Sequence, residues 1–288
     1  MRWMVTGAGG MTGSDVVELL EASGEPVVAA SKEELDITSA DVHEFVRQAR
    51  PDVILNCAAY TKVDDCEANP GLADRVNGEA VRILADAANR EGALLVQIST
   101  DFVFDGTARI PYPVDAPVAP VSAYGRSKLL GEKNAAMAKQ HLIVRTSWLF
   151  GHRGPSFPAA ILRQIDAGKS ALRVVDDQSG RPTWTPHLAE ALVALARLAR
   201  EDESARGIVH YADAPACTWF DLAKEIVGIA KPGVVVEPVS TAEFPRPARR
   251  PKYSVLSTEK YEALTGRRPA QWIDGLREFL AAARQPPS

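Results

Sequence analysis

A glycine-rich turn near the N-terminus constrains this chain more than any other feature. The apolar run Arg2–Thr6 leads into Gly7-Ala8-Gly9-Gly10-Met11-Thr12-Gly13, with the spacing G-x-x-G-x-x-G. Gly7 permits a sharp turn after the strand, Gly10 lets backbone approach a pyrophosphate, and Gly13 lets a helix pack closely on the sheet. The first N–H groups of that helix are free to bind phosphate. The sequence therefore predicts a strand–turn–helix unit that binds a dinucleotide.

The rest of the first half alternates between short apolar runs and longer amphipathic stretches. The apolar runs are nearly continuous, as in strands buried on both faces. They are Arg2–Thr6, Pro26–Ala30, Val53–Asn56, Leu94–Ser99 and Leu142–Thr146, and helices are expected at Leu72–Arg90 and Ser122–Lys139. The alternation predicts an α/β fold with a Rossmann-like, doubly wound parallel sheet. Its ligands are expected at the carboxyl ends of the strands.

The alternation of apolar runs and amphipathic stretches becomes less regular beyond residue 150, where we expect a smaller C-terminal substrate-binding lobe. We assign residues 1–150 to the dinucleotide-binding domain, rejoined by about 186–212, and residues 151–288 to the lobe. The expected elements are helices at Ser156–Gly168, His187–Arg200, Thr218–Ala230 and within Gln271–Ala283, strands at Leu172–Val175 and Ile208–Tyr211, and loops at Asp176–Pro186 and Phe244–Pro251.

Charge and composition exclude several classes of protein. The net charge of -4 and pI near 5.8 lack the basic excess of a nucleic-acid-binding chain. No apolar stretch approaches the roughly 18 residues of a membrane span, and the first strand leaves no room for a signal peptide. Cys57, Cys66 and Cys217 show no metal-ligand spacing. We therefore expect a cytoplasmic protein with reduced thiols and no metal.

The end of the second strand bears on the choice of cofactor. A site specific for NAD usually places an acid there to bind the ribose 2′-hydroxyl. This strand ends in Ser31-Lys32, and no acid appears until Glu33. Ser31 and Lys32 suit a 2′-phosphate, which favours NADPH, with NADH as the alternative. Asp36 and Ile37 are then expected beside the adenine.

A second motif supplies a proton donor. Tyr124 and Lys128 lie four residues apart, which places them on one face of a helix. A cation beside a phenol lowers its pKa from the usual value near 10. Ser99 and Thr100 end the preceding strand, and Thr100 is expected to bind and orient a carbonyl oxygen. With the glycine turn, this set predicts hydride transfer between a nicotinamide and a carbonyl carbon, with Tyr124 moving the proton.

These motifs resemble those of the extended short-chain dehydrogenase/reductase superfamily, and within it the dTDP-4-dehydrorhamnose reductase family. The resemblance runs from Arg2 to about Leu280. It is carried by Asn56-Cys57-Ala58-Ala59-Tyr60-Thr61-Lys62-Val63-Asp64, Val76-Asn77, Ser99-Thr100-Asp101-Phe102-Val103-Phe104-Asp105-Gly106, Arg145-Thr146-Ser147-Trp148, Asp176-Asp177-Gln178 with Gly180, Pro182 and Thr183, and Arg250-Pro251 with Ser254 and Leu256.

The resemblance implies reduction of the C4 ketone of dTDP-4-dehydro-6-deoxy-L-mannose by NADPH or NADH. It implies that Thr100, Tyr124 and Lys128 are catalytic. It implies that Val63 and Trp148 touch the substrate, and that Arg181 and Arg250 are candidates for its nucleotide end. The implied cofactor-binding residues are Gly10, Met11, Thr12, Asp36, Ile37, Ala58, Ala59, Tyr60 and Thr61, and we add Gly7, Gly13, Ser31, Lys32, Ser99, Tyr124 and Lys128.

Two alternatives remain open. Reductases of other dTDP-4-keto-6-deoxyhexoses, used for antibiotic sugars, look alike, and the regulatory subunit of methionine adenosyltransferase is similar without being a reductase. A 4,6-dehydratase is disfavoured because Phe102 replaces the acid that usually follows Asp101.

Some family members bind Mg²⁺ at a dimer interface through acids. Asp15 suits such a site, but His187 stands where another acid is needed, so we expect no metal and either a monomer or a homodimer.

Overall fold

A computed structural model describes residues 1–284 of the chain. Its strands are β1 (Trp3–Thr6), β2 (Val27–Ala30), β3 (Val53–Asn56), β4 (Leu94–Thr100), β5 (His141–Thr146), β6 (Leu149–Phe150), β7 (Ala171–Val175), β8 (Ser179–Gly180), β9 (Thr183–Trp184), β10 (Gly207–His210), β11 (Cys217–Thr218) and β12 (Val235–Val239). Its α-helices are α1 (Met11–Ala22), α2 (Val42–Ala49), α3 (Val63–Ala68), α4 (Pro70–Asp74), α5 (Ala80–Glu91), α6 (Ala123–Ala135), α7 (Phe157–Asp166), α8 (Thr185–Glu201), α9 (Trp219–Ala230), α10 (Glu259–Thr265) and α11 (Trp272–Ala283).

Six parallel strands form the central sheet, in the order β10-β5-β4-β3-β1-β2. The chain moves outward from β1 to β2 and then returns to place β3 on the other side of β1, so the order reverses between β1 and β3. This reversal is the position at which open α/β sheets bind ligands. The expected doubly wound parallel sheet is confirmed, and β10, from beyond residue 150, forms one edge of it.

Helices cover both faces of the sheet, which explains the continuous apolar runs. Alternate residues of a strand point to opposite faces. Trp3 and Val5 therefore pack into a core with α1 and α8, whereas Met4 packs into a second core with α2 and α5. Strands of this kind need apolar residues at every position.

A third hydrophobic core lies entirely beyond residue 149. It joins α7, α9 and α11 to the paired strands β7 and β12. Phe150 and Trp184 are completely buried in it, and their rings lie 5.2 Å apart. The C-terminal part of the chain thus packs around its own centre as well as supplying α8 and β10 to the central sheet.

Two expected elements differ from the structure. The expected helix Leu72–Arg90 is built as α4, a π-helical turn at Arg75–Glu79 and then α5. The expected loop Asp176–Pro186 contains β8 and β9, and α8 already begins at Thr185. Strands of two residues are too short to give a periodic signal, which is why the sequence does not reveal them.

Candidate active site

The glycine turn adopts the conformation that its spacing predicts. Gly7 has φ +64°, and a Cβ placed on it would lie 2.6 Å from the backbone nitrogen of Ala58, which follows β3. A Cβ on Gly13 would lie 2.2 Å from the carbonyl oxygen of Gly7. Side chains at either position would separate the turn from β3 or from its own helix. The glycines thus hold the turn in the crevice between β1 and β3.

The first turn of α1 is free to bind an anion. Gly10 is the N-cap, and within the described chain the first turn has no side-chain cap and no acidic residue. Met11 and Thr12 supply its first N–H groups, which point out of the helix with the positive end of the helix dipole. The end of β1 therefore leads into a helix N-terminus with the features that suit a phosphate group.

The end of β2 carries the residues expected to select the cofactor. The backbone N–H of Ser31 donates to the carboxylate of Glu34 at 2.7 Å. Lys32 is exposed, Asp36 accepts from the backbone and hydroxyl of Thr38, and Ile37 is buried. Because Glu34 occupies the Ser31 N–H, a 2′-phosphate must displace this carboxylate to bind there.

The segment after β3 is held by one asparagine. Asn77 accepts the N–H of Tyr60 at 2.7 Å and donates to its carbonyl oxygen at 3.0 Å. The same amide donates to the hydroxyl of Ser127 on α6 at 2.9 Å. Asn77 therefore couples the segment Ala58–Thr61 to the helix that carries Tyr124. It lies in the π-helical turn, a departure from regular helix that is frequent at functional sites.

Tyr124 stands in the first turn of α6 because its neighbours fix the helix start. Ser122 is the N-cap and accepts the N–H of Gly125 at 3.1 Å. A Cβ on Gly125 would lie 2.2 Å from the carbonyl oxygen of Phe102, so only glycine lets α6 begin against this turn. The Phe102 ring packs edge-on to Tyr124, with centroids 5.5 Å apart.

The electrostatics of Tyr124 correct one expectation. Burial raises the pKa of the phenol above 10, an ionised Asp101 raises it further, and the nearby hydroxyl of Thr100 opposes the shift. The expected lowering by Lys128 is therefore not what the structure shows. A raised pKa keeps the phenol protonated, which is the form needed to donate a proton to a ketone.

Lys128 is buried and faces the sheet. Its ammonium donates to the carbonyl oxygen of Ile98 in β4 at 2.7 Å. Burial lowers its pKa to about 8, and the carboxylate of Glu132 opposes this shift. Tyr124, Lys128 and Glu132 follow at intervals of four residues, so all three lie on one face of α6.

A buried polar network lies beneath this face. Glu132 forms a bidentate ion pair with Arg145 of β5, with both N–O distances at 2.8 Å, and accepts the hydroxyl of Ser99 at 2.5 Å. Arg145 also approaches His210, whose pKa is lowered to about 3 by burial and by that cation. Ser99 therefore lies in the network that supports the site, with its hydroxyl proton used by Glu132.

Trp148 lies where strained backbone coincides with aromatic stacking. It is a non-glycine residue with φ +49°, a conformation that is costly and concentrated at functional sites. Its ring stacks on Trp219 at 3.5 Å, and a Cβ placed on Gly180 would lie 2.3 Å from the same ring. Val63 is the half-buried first residue of α3.

A large groove extends from this region into the C-terminal part of the chain. Its volume is about 990 Å³, and Phe157, Trp219 and Phe244 contribute aromatic rings to its wall. Asp105 is an acidic residue of the lining. The cations of the lining are Lys169, Arg173, Arg246, Arg249, Arg250 and Lys252. The groove therefore suits an elongated anionic ligand with an aromatic part.

The two candidate arginines have different surroundings. Arg250 lines the groove and forms a bidentate pair with Asp64 of α3, at 2.9 and 3.0 Å. Arg181 is buried, and its guanidinium donates to the carbonyl oxygens of Asp213 at 2.6 Å and Leu256 at 3.1 Å. The expectation that Arg181 binds the nucleotide end is corrected, because its side chain ties three segments together inside the fold.

Several supporting residues were not identified as such from the sequence. Asn77, Gly125 and Glu132 each fix a residue of the site through contacts between elements far apart in the chain. Glu132 continues the four-residue spacing of Tyr124 and Lys128, which was an available signal. Asn77 belongs to the Val76-Asn77 motif, to which the sequence alone assigns no role. A sequence pattern gives position along an element but not its partner across the fold.

Two observations concern metals and membranes. Among the described residues, no group of three or more His, Cys, Asp and Glu side chains is arranged to hold a metal ion. Asp15 instead interacts with Thr185, and His187 pairs with Asp213 at 2.8 Å. No helix within residues 1–284 is both long and apolar enough to cross a bilayer.

The fold and the site together define an NAD(P)-dependent oxidoreductase of the short-chain dehydrogenase/reductase type. The sheet reversal, the open helix N-terminus and the Thr–Tyr–Lys group converge on one crevice. A family model described as RmlD substrate binding domain matches residues 1–285. The chain belongs to this family.

Similar proteins carry related names. A probable dTDP-4,6-dihydroxy-2-methyloxan-3-one 4-ketoreductase of Streptomyces antibioticus is 42% identical, covering 100% of this chain and 98% of that protein. A dTDP-4-dehydrorhamnose reductase of Streptomyces griseus is also 42% identical, covering 98% and 93%. The crystal structure of dTDP-4-dehydrorhamnose reductase from Bacillus anthracis in complex with NADP is 36% identical, with a TM-score of 0.91, and covers 98% of this chain and 99% of that one.

Proposed function

We propose that the protein reduces the C4 ketone of dTDP-4-dehydro-6-deoxy-L-mannose to give dTDP-L-rhamnose, with NADPH as hydride donor. The observation that carries this proposal is the protonated, half-buried Tyr124 beside Thr100, in a crevice that ends at a free helix N-terminus. The nicotinamide delivers hydride to the carbonyl carbon, and Tyr124 delivers its proton to the oxygen. Relatives named dTDP-4-dehydrorhamnose reductase support the choice of ketone.

NADPH is assigned to the crevice between β1 and β3. Its pyrophosphate would accept the free N–H groups at Met11 and Thr12, next to Gly7, Gly10 and Gly13, and the segment Ala58–Thr61 would cover it from β3. Asp36 and Ile37 would lie at the adenine, with Ser31 and Lys32 at the 2′-phosphate. The relative solved with NADP supports this cofactor. Lys128 would hold the nicotinamide ribose, below Tyr124.

The basic, aromatic groove is assigned to the nucleotide part of the substrate. Arg249 and Lys252 line it and form no ion pair within residues 1–284, so they suit the diphosphate. Trp148, stacked on Trp219, and Val63 would border the sugar. Arg250 is proposed to contact the nucleotide end from its pair with Asp64.

A related substrate is the second candidate. Two relatives at 41–42% identity are named as 4-ketoreductases or reductases of other 4-keto-6-deoxy sugars. Reduction of such a sugar would use the same cofactor, the same proton donor and the same groove. The two candidates differ in the configuration of the ring carbons on either side of the ketone.

The experiment supplies the product of dTDP-glucose 4,6-dehydratase, with and without 3,5-epimerase, together with NADPH. We expect absorbance at 340 nm to fall only when the epimerase is present, and NMR to identify dTDP-L-rhamnose. Oxidation of NADPH without the epimerase would establish the second candidate. Absence of oxidation with either sugar would refute both, and binding to a methionine adenosyltransferase would then support the regulatory alternative.

A further inference from the structure

Asp101 is a buried acid next to the reacting group with no assigned role. It follows Thr100 directly, is 1% exposed, and begins the 3₁₀ turn Asp101–Val103. Its Oδ1 lies 3.0 Å from the hydroxyl oxygen of Thr100. Its Oδ2 is fully buried, and within the described part of the chain it has no hydrogen-bond partner. A buried unpaired polar atom of this kind needs an explanation.

The hydrogen bonds at Thr100 determine what Asp101 must do. A threonine hydroxyl has one proton to donate and two lone pairs to accept with. One lone pair accepts the N–H of Phe102 at 3.2 Å. If Asp101 were ionised, the hydroxyl proton would go to Asp101 and none would remain for a ketone. If the Asp101 carboxyl is protonated and donates to Thr100, both lone pairs of the Thr100 hydroxyl accept hydrogen bonds. The Thr100 hydroxyl proton is then free for the ketone.

Burial favours the protonated carboxyl because it raises the pKa of Asp101 to about 6, although the nearby hydroxyls of Ser254 and Thr100 oppose the shift. The carboxyl therefore keeps its proton below a pH of about 6. A buried carboxylate oxygen without a partner is far more costly than a carbonyl oxygen without one. The groups that face Asp101 are Thr100 and the Phe102 N–H from its own segment, the phenol of Tyr124 from α6, and Ser254 from the segment before α10. None of these is a cation.

We propose that Asp101 is a positioning residue whose carboxyl proton is donated to Thr100, so that the Thr100 hydroxyl proton points at the ketone oxygen. This inference rests on the proposed function, because it assigns a donor to the ketone of that reaction. The substrate oxygen would then receive two donors, from Thr100 and Tyr124. The reaction consumes only the Tyr124 proton, and the proton of Asp101 stays in place through the turnover.

The test compares Asp101→Asn with Asp101→Leu, assayed with NADPH and the epimerised dTDP-4-keto sugar at a pH of about 5.5, below the pKa of Asp101. The asparagine amide can donate to Thr100 as a protonated carboxyl does, so we expect kcat to fall by no more than about fivefold. Leucine has a similar shape but cannot donate to Thr100, so the threonine hydroxyl keeps its proton and loses its orientation, and we expect a loss of about 100-fold in kcat, as for a misplaced catalytic group. KM and NADPH binding should change little in both variants.

The pH profile separates positioning from a purely structural role. The wild-type kcat should fall as pH rises above about 6 because Asp101 ionises, with a further fall near 8 where Lys128 loses its proton. In Asp101→Asn, kcat should not decrease above a pH of about 6, but it should still decrease near 8. Asp202→Asn removes an exposed carboxylate that caps the turn 203–205, and it should keep the wild-type profile.

Each outcome decides between the two proposals. Equally large losses of kcat in both variants would overturn the role of Asp101. A decrease in the kcat of Asp101→Asn above a pH of about 6, as in the wild type, would overturn it too. In both cases, turnover by the wild type would still uphold the proposed function. If Asp101→Leu does not fold, the profile of Asp101→Asn decides alone. Failure of the wild type to reduce either sugar would refute the proposed function, and this inference with it.

Discussion

At the scale of single residues, the site depends on which groups keep their protons. Tyr124 stays protonated because burial raises its pKa, whereas Lys128 has a pKa of about 8 because burial outweighs the opposing charge of Glu132. The sequence spacing predicted that these two side chains share a helix face. It did not predict that Lys128 would donate to the carbonyl oxygen of Ile98. Burial depends on the whole fold, so its effect on a pKa is not visible in a spacing.

Gly13→Ala tests the geometry of the cofactor turn. A Cβ at this position would lie 2.2 Å from the Gly7 carbonyl oxygen, so the helix must move away from the turn. We expect the free energy of unfolding to fall by about 2 kcal/mol, the usual cost of overpacking. NADPH affinity should fall by at least about tenfold, equivalent to about 1.4 kcal/mol. Denaturant unfolding and a fluorescence titration measure the two effects.

Gly9→Ala is the matched control for this change. A Cβ on Gly9 has no atom within 4 Å among the described residues, and its φ is not in the left-handed region. Its unfolding free energy should stay within about 0.5 kcal/mol of the wild type. Equal stability of the Gly13 and Gly9 variants would show that the close approach at Gly13 is not a constraint.

At the scale of elements, α8 is joined to the segment after β10 by one buried acid. Asp213 accepts from the backbone N–H of Trp184 at 3.0 Å, from the ring of His187 at 2.8 Å and from the hydroxyl of Tyr211 at 3.0 Å. Burial lowers the pKa of His187, but the hydrogen bond and charge of Asp213 outweigh it, so the pKa is raised. His187 therefore binds its proton more tightly in the folded state than in the unfolded state.

Because of this pair, we expect the free energy of unfolding to decrease as pH rises. A raised folded pKa means that its contribution is complete below the unfolded value near 6.5 and is lost as pH rises through the folded value. His187→Gln should lower the free energy of unfolding by about 1–2 kcal/mol at a pH of about 5.5, and by less at about 8.5. Urea unfolding at both pH values measures this.

His141→Gln serves as its control, because the His141 ring contacts a backbone carbonyl oxygen, that of Ala138, rather than a carboxylate. That variant should show the same pH dependence as the wild type. A His187 variant whose loss is equal at both pH values would contradict the assignment of charge to this pair.

The sequence predicted elements where periodicity or turn chemistry is strong. The five strands expected in the first half are all present, since each of β1 to β5 contains a run of at least three consecutive apolar residues. It missed α2 and the strand β12, which carries Pro238 and mostly exposed side chains. The strand β12 exists because it pairs with β7, a partner more than 60 residues away. Pairing over such distances leaves no local signal.

At the scale of the whole molecule, the groove is closed by a contact between distant parts of the chain. Asp64 on α3 accepts from the Arg250 guanidinium and from the backbone N–H of Ala248 at 3.1 Å. These bonds hold the segment 244–252, most of which lines the groove, against α3. The guanidinium of Arg250 holds the pKa of Asp64 below its usual range.

Asp64→Asn tests this closure. The amide cannot form a bidentate ion pair with Arg250, so the segment should be held less firmly. We expect KM for the sugar nucleotide to rise by about fivefold, the effect of losing roughly 1 kcal/mol. The kcat and the NADPH affinity should change little, because Tyr124 and the glycine turn lie on other elements. Asp86→Asn, which breaks an exposed pair with Arg82, should leave KM unchanged. An unchanged KM in the Asp64 variant would show that the groove does not depend on this contact.

The account as a whole depends on Tyr124 as the proton donor, and Tyr124→Phe tests it most directly. Phenylalanine keeps the ring that packs against Phe102 and removes only the hydroxyl. With NADPH and the epimerised dTDP-4-keto sugar, we predict a fall in kcat of at least about 100-fold, the low end for a lost general acid. NADPH binding, followed by fluorescence, should remain near the wild-type value. A variant that reduces the sugar at close to the wild-type rate would contradict the assignment.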